Sequence, residues 1–370
     1  MAVPLIDLSH QHAALLPQCR ALFERIVESG RFILGPDVEQ FEQQLASYCG
    51  TRYAVGVSSG TDALLVAMMA LGIGPGDEVI TPSFTFFATA GSIARLGAKP
   101  VFVDVYPTTF NMDPQQIAPA VTDKTRAIIP VHLFGQAADM DPIMQVAHRH
   151  GLKVIEDAAQ AVGARYRGRP VGSIGDVGCL SFYPTKNLAA MGDAGACVTD
   201  DADLQQKIRD LRVHGSGGAE THPDIGGNFR LDALQAAMLT VKLPLLDGWN
   251  EARRAHADRY HHHLEALGLG LPFEAADCYH TYNQYTIRVL SGQRDGLRQH
   301  LASSGIGNRI YYQVPLHLQP CFGYLGCPPG QLPVTEQAAR EVLSLPIFPD
   351  LSEAQQDQVI HVVQEFFTGD

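Results

Sequence analysis

Three short segments carry residue types that could do chemistry together. The first is Val57-Ser58-Ser59-Gly60-Thr61-Asp62-Ala63-Leu64, where an apolar run ends in small residues and a helical pattern begins. A helix N-terminus offers free N–H groups and the positive end of a dipole, and glycine allows close approach to the backbone. The segment therefore has the makings of a phosphate cradle around Gly60 and Thr61. A helix simply capped by Ser59 or Thr61 is the plain structural reading. The second is Val154-Ile155-Glu156-Asp157-Ala158-Ala159-Gln160, an apolar strand closing on two acids. A carboxylate there could hold a protonated ring nitrogen or a metal, or cap a following helix. The third, Cys179-Leu180-Ser181-Phe182-Tyr183-Pro184-Thr185-Lys186-Asn187-Leu188, delivers one lysine from an apolar strand into a loop. The glycine-containing turn Met191-Gly192-Asp193-Ala194-Gly195 follows. Partial desolvation lowers a lysine's pKa, which Schiff-base chemistry needs; a surface lysine after a strand is the alternative.

The elements that must position these residues alternate along the first ~240 positions, a strand–helix rhythm typical of α/β chains. Apolar, β-branched runs predict strands at Tyr53–Val57, Glu78–Thr81, Pro100–Val105, Ala127–Val131, Val154–Glu156, Gly178–Phe182 and Ala196–Thr199. Helical stretches such as Asp62–Leu71 and Pro142–His150 fall between most of them. Nearly all-apolar strands imply a largely parallel sheet covered on both faces, with any site at the carboxyl ends of the strands. After Leu246 the pattern changes. A long polar helix is expected from about Asp247 to Leu267, then a strand-like Gln284–Leu290, a helix near Asp295–Ser304, a Pro-rich stretch from Val314 to Pro333 and two more helices. The reading is a large α/β domain over 1–246, including an N-terminal helical segment, and a smaller α+β domain over 247–370.

Taken together, the three segments make a parts list for pyridoxal 5'-phosphate. A phosphate sits on a helix start, an acid about a hundred residues on pairs with the pyridine nitrogen, and a lysine 29 residues later holds the aldehyde. An aromatic to stack on the ring would complete the set. Pro82-Ser83-Phe84-Thr85-Phe86-Phe87 offers three after a predicted strand, each of which could equally be core packing.

Over nearly its whole length the chain resembles the DegT/StrS family of fold type I aminotransferases, which transfer nitrogen to keto sugars. Gly30-Arg31-Phe32-Ile33-Leu34-Gly35-Pro36 matches early, the three segments follow in order, Gly226-Gly227-Asn228-Phe229-Arg230-Leu231-Asp232 matches in the middle and Val314-Pro315-Leu316-His317-Leu318-Gln319-Pro320 late. The resemblance implies a mostly parallel seven-stranded sheet sandwiched by helices. It implies that Lys186 forms the internal aldimine, Asp157 pairs with the ring nitrogen and Gln160 contacts the phenolic oxygen. Gly60, Thr61 and Ser181 hold the phosphate and Phe86 covers the ring. Asn228 reaches the phosphate of a neighbouring subunit's cofactor, making a homodimer with shared sites. Tyr183, His214, Arg230, Tyr312 and His317 line the substrate side. The implied reaction is ping-pong transfer from L-glutamate, through pyridoxamine 5'-phosphate, to a nucleotide-linked 3-keto sugar such as a dTDP-6-deoxyhexose or a UDP-uronate. A 4-keto sugar, a keto-cyclitol, a sugar dehydratase and a regulatory protein are the alternatives. The chain departs from many relatives at Ala189 and Ala194, where they have glycine, and at Tyr311-Tyr312-Gln313, where they read His-Tyr-Pro. Relatives with histidine in place of the lysine are dehydratases; Lys186 favours transamination.

Composition narrows the field further. Lys+Arg 27 against Asp+Glu 39 gives a net charge of -12, which argues against holding nucleic acid by counterion release. The longest wholly apolar run, Ala63–Leu71, is about half of the ~20 residues that a membrane span needs. The N-terminal Met-Ala-Val-Pro-Leu-Ile-Asp-Leu lacks a basic region ahead of an apolar one, so no secretory signal is expected. Seven scattered cysteines without a C-x-x-C read as reduced thiols in a cytoplasmic protein, with no metal expected at Cys321 and Cys327. Gly72-Ile73-Gly74-Pro75-Gly76-Asp77 has the wrong context for a dinucleotide loop and reads as a helix stop and turn. His256 and His261–His263 read as a solvated helix face, and Trp249 as packing at the domain junction.

Overall fold

Apolar runs bounded by turn residues become strands in the computed structural model, which describes residues 2–218 and 220–369. In chain order the strands are β1 (Tyr53–Val57), β2 (Glu78–Pro82), β3 (Lys99–Val103), β4 (Thr125–Ile128), β5 (Lys153–Asp157), β6 (Arg165–Tyr166), β7 (Arg169–Pro170), β8 (Val177–Ser181), β9 (Gly195–Thr199), β10 (Cys278–Tyr279), β11 (Tyr285–Arg288) and β12 (Val342–Leu345). Seven of them form one mixed sheet in the order β1-β9-β8-β5-β4-β2-β3. Six strands run the same way; β9 alone is antiparallel to both its neighbours, β1 and β8. All seven strands expected from the apolar runs are present, and the sheet is mostly parallel as expected.

Six of these strands feed two cores, because successive side chains point to opposite faces. Ala54, Ile80, Ile128, Val154, Leu180 and Val198 face a core closed by the helices Pro36–Cys49, Met140–His150 and Ala233–Lys242. Val55, Val79, Ala127, Ile155, Cys179 and Cys197 face another, closed by Gly60–Ala70, Phe87–Arg95 and Ala202–Leu211. A sheet covered on both faces admits wholly apolar strands, which is why alternation is missing from the sequence.

A separate core lies beyond the sheet. It gathers Tyr260 and Leu264 of the helix Leu246–Leu264, β11 paired antiparallel with β12, Leu297 and Leu301 of Arg294–Ser303, and Val359 and Val363 of Glu353–Thr368. Val3 joins this core from the far end of the chain, bridged to Ile306. Trp249 packs with Leu15, Cys19 and Met238 where the helix Ser9–Ser29 meets Ala233–Lys242. No helix among the described residues is long and apolar enough to cross a membrane.

One polar device braces the sheet beside the functional edge. The Glu156 carboxylate is fully buried and accepts from His132 Nε2 at 2.9 Å and from the N–H groups of Gly172, Ile174 and Gly175. His132 Nδ1 accepts from the Ala138 N–H, so its proton must sit on Nε2. Burial pushes the Glu156 carboxyl up, but His132 and the backbone donors outweigh it and hold the acid below its ordinary value. Its stabilisation is therefore present above the ordinary carboxylate range and is lost as pH falls through the folded value. Glu156→Gln is expected to lose about 3 kcal/mol at pH 7, as when a buried pair loses one partner. The deficit should shrink on acidification, read as urea midpoints at pH 7 and pH 4.

Candidate active site

The strand order sets four functional segments side by side at one edge. Val57 lies opposite Gly195, Gly195 opposite Ser181, and Asp157 opposite Cys179. Because β9 is antiparallel, its amino end joins the carboxyl ends of β1, β8 and β5. The edge therefore carries the helix start after β1, the small turn before β9, the loop after β8 and the acid ending β5.

At the helix start, Ser59 caps Gly60–Ala70 by accepting from the Asp62 N–H, and Ser58 and Ser59 donate to Asp62 Oδ2 at 2.6 and 2.9 Å. The capping reading of Ser59 thus holds, and the first-turn amides of Gly60 and Thr61 remain at the positive helix end. Glycine is required here by contact rather than by backbone angle. A Cβ on Gly60 would lie 2.6 Å from Ser181 Cβ, and one on Gly195 would lie 2.4 Å from the Ser59 backbone. Three segments meet closely enough to form a cradle with backbone walls.

Asp157 ends β5 and is 5 % exposed. Its Oδ2 accepts from the Thr89 hydroxyl at 2.8 Å and its Oδ1 from the Ala159 N–H at 3.2 Å. The chain turns after Asp157 instead of entering a helix, so the helix-cap alternative does not apply. Burial pushes the Asp157 carboxyl up; the Thr89 and Ala159 bonds and the charge of Lys186 pull it back only in part. Lys186 lies half-buried in the turn after β8, its backbone N–H bonded to the Tyr183 carbonyl. Desolvation lowers the Lys186 amine to about 8, against the opposing pull of Asp157.

The remaining predicted residues divide. Gln160 is buried and accepts from the Phe134 N–H, and its Nε2 donates to the Tyr312 hydroxyl at 2.8 Å. Tyr312 stands 6.3 Å, ring centre to ring centre, from exposed Phe86. Phe84, by contrast, is core, and Phe87 stacks on Phe322. Tyr183 is exposed beside the lysine turn. Arg230 bridges to Val57 and its buried Nε has no partner among the described residues. His214 and Asn228 are exposed on the same stretch, whose Phe229 carbonyl accepts from the Ser58 N–H. His317 differs from the expectation of a group lining the substrate side. It is 2 % exposed, with Nδ1 2.7 Å from Ser83 Oγ and Nε2 3.3 Å from Glu336. Both ring nitrogens are used inside the chain, so His317 works here as a strut between the 314–333 stretch and the segment after β2. Thr89, Ser83 and His132 had no signal in the sequence, because their partners are far away along the chain.

This fold and edge define a fold type I aminotransferase. The chain belongs to the DegT/DnrJ/EryC1/StrS aminotransferase family, whose profile matches residues 17–364. It is 52% identical over 370 residues to the "Pleiotropic regulatory protein" of Geobacillus stearothermophilus, covering 99% of each chain. It is 46% identical to the dTDP-3-amino-3,4,6-trideoxy-alpha-D-glucose transaminase of Streptomyces venezuelae, covering 98% of this chain and 96% of that one. The crystal structure of S. venezuelae DesV in complex with a ketimine intermediate superposes with a TM-score of 0.95 at 46% identity, covering 99% and 98% of the two chains.

The cofactor of the enzyme is pyridoxal 5'-phosphate. The residues present fit it. A glycine cradle at a helix start suits a phosphate, a buried carboxylate in no ion pair among the described residues suits a protonated ring nitrogen, and a desolvated amine suits an aldehyde. Gly60→Ala must push the helix start away from Ser181. Its expected effect is a cofactor dissociation constant raised by about tenfold, a change of ~1.4 kcal/mol, with the fold retained. Absorbance titration of the apoprotein with pyridoxal phosphate measures it.

Proposed function

We propose that the enzyme transfers the amino group of L-glutamate to a nucleotide-linked 3-keto sugar, with ping-pong kinetics. One observation carries the reading: the loop of Lys186, whose amine desolvation lowers to about 8 against the charge of Asp157, and buried Asp157 lie at the ends of adjacent strands, at the edge that holds the glycine cradle. When bound, pyridoxal phosphate supplies an electron sink for the charge left as a proton leaves the amino donor's α-carbon. In this reading Lys186 Nζ holds the aldehyde at rest and afterwards moves that proton. Asp157 keeps the ring nitrogen protonated. Gln160 meets the phenolic oxygen, its second Nε2 proton remaining after Tyr312 has taken one. Gly60, Thr61 and Ser181 hold the phosphate and Phe86 covers the ring. Tyr183, His214, Arg230 and Tyr312 face the substrates, while His317 supports them from behind.

The 3-keto assignment is supported by the 3-amino sugar in the name of the Streptomyces relative and by the Val314–Pro320 motif. A homodimer with Asn228 reaching the other subunit's cofactor is part of the reading. It is supported by Leu16, Phe23 and Val27, which share one exposed side of the helix Ser9–Ser29, and by exposed Phe32, Ile33 and Ile225. The division at 246/247 is supported by the separate core beyond the sheet, and a cytoplasmic location by cysteines that are all free among the described residues.

The test is the absorbance of the pyridoxal-phosphate-loaded protein before and after L-glutamate, with 2-oxoglutarate assayed, followed by a panel of 3-keto and 4-keto nucleotide sugars. A spectral change with 2-oxoglutarate release, and amination of a 3-keto sugar, is the expected result. Unchanged absorbance and no 2-oxoglutarate overturns the donor assignment, and exclusive amination of a 4-keto sugar overturns the position. The name of the Geobacillus relative favours one other reading, a regulator. The net charge of -12 argues against DNA as its target. A salt-sensitive shift of duplex DNA at physiological ionic strength would support it.

A further inference from the structure

Asp157 is gripped by a second element that no chemistry above has used. The segment after β2 turns through Phe86 into the helix Phe87–Arg95, and Thr89 in its first turn is completely buried. The Thr89 hydroxyl is 2.8 Å from Asp157 Oδ2, its shortest contact. It lies 3.2 Å from the Thr85 hydroxyl, itself 2 % exposed, and 3.2 Å from the Phe86 carbonyl. A hydroxyl has one proton to give, and the ionised carboxylate is the stronger acceptor. Thr89 therefore donates to Asp157, and the Thr85 hydroxyl donates to Thr89. Both residues are β-branched, so their hydroxyls are held by stiff χ1 angles against buried backbone.

We propose that Thr89 is a positioning residue for the amino-transfer reaction, its hydroxyl fixing the Asp157 carboxylate relative to the segment that carries Phe86. The inference rests on the proposed pairing of Asp157 with the ring nitrogen. Oδ1 is tied to the Ala159 N–H within its own turn, so rotation of the carboxylate is stopped at both oxygens, one of them from across the site. The same short segment presents Phe86 to the open side. The ring's cover and the ring nitrogen's partner are thereby set by one backbone turn, and loss of the hydroxyl releases one from the other. Thr85 backs Thr89 and should matter less.

The experiment compares Thr89→Val and Thr89→Ser in the wild-type and Asp157→Asn backgrounds. It reads the pyridoxal phosphate dissociation constant of the apoprotein and the rate of the glutamate half-reaction. Thr89→Val should raise the dissociation constant about tenfold and slow the half-reaction by about ten- to thirtyfold, the scale of a hydrogen bond to a charged group. Thr89→Ser should stay within about threefold of wild type. In the Asp157→Asn background Thr89→Val should change both quantities far less, because the amide that still accepts from Thr89 no longer carries the charge whose placement matters. Wild-type behaviour of Thr89→Val overturns the inference. So does a serine variant as impaired as the valine one, which would mean that the methyl matters and the hydroxyl does not. Effects of Thr89→Val that persist undiminished in the Asp157→Asn background also overturn it. If Asp157→Asn alone binds cofactor and reacts as wild type, the reading of Asp157 itself fails, a result separable from the other three.

Discussion

Lys186→Ala is expected to leave a folded protein whose turnover falls on the order of 10⁴-fold, the upper range for loss of a proton-transferring group. The side chain is half-buried in a turn, and the charge that acts on it is that of Asp157, so truncation leaves no cavity in either sheet core. Retention of the fold is read from circular dichroism and the melting temperature, and turnover from 2-oxoglutarate release without added amine. Substantial multiple turnover by this variant sinks the assignment. The wild-type protein adds a pH test. Only the neutral amine can attack an aldehyde, and the lysine is lowered to about 8. Capture of pyridoxal phosphate by the apoprotein should therefore quicken as pH rises through about 8 and level off above it. A midpoint near 10.5, the ordinary lysine value, would show an amine that the site does not desolvate.

Asp157→Asn is expected to slow the glutamate half-reaction by roughly 10³-fold, the scale of removing a group that stabilises charge at the reacting centre. The side chain keeps its size, and its amide oxygen can still accept from Thr89. What it loses is the negative charge that keeps a ring nitrogen protonated. The stability of the apoprotein should move the other way. Burial raises the Asp157 carboxyl, so ionising it costs stability above its folded value, and that cost disappears as pH falls through it. At pH 7 the apo form of the asparagine variant should thus melt no lower than apo wild type, with any advantage closing toward acid. Added pyridoxal phosphate should reverse the order, because a ligand stabilises according to how tightly it binds. Equal cofactor-induced shifts in melting temperature for the two proteins would separate Asp157 from the ring nitrogen.

Much of this was legible in the residues, for identifiable reasons. The seven sheet strands could be found because a sheet buried on both faces needs uninterrupted apolar runs, and Ile80, Val154 and Leu180 supply them. The reversed direction of β9 could not be found that way, since a run of Gly195–Thr199 reads the same in either direction. Asp157, Lys186 and Gly60 could be singled out because each follows or ends an apolar run, and the structure places all three segments at the carboxyl-end edge of the sheet. His317 misled because its motif suggested a substrate contact, whereas the two groups that occupy its ring, Ser83 and Glu336, come from different elements. The same distance hid Thr89 and His132. The short pairings of β6, β7 and β10 were invisible because two-residue strands carry no period.

The bridge between Val3 and Ile306 bears on how the chain is assembled during synthesis. Val3 precedes Ile306 by some three hundred residues, and the surface that buries it is not complete until β12 has also emerged. The sheet has all its strands once Thr199 is out and can close well before that. The stretch around Val3 must therefore wait for Ile306 while the residues between them are translated, and its docking is a late event of high sequence separation. Lesions near Val3 should accordingly slow the final consolidation of the distant core more than the formation of the sheet.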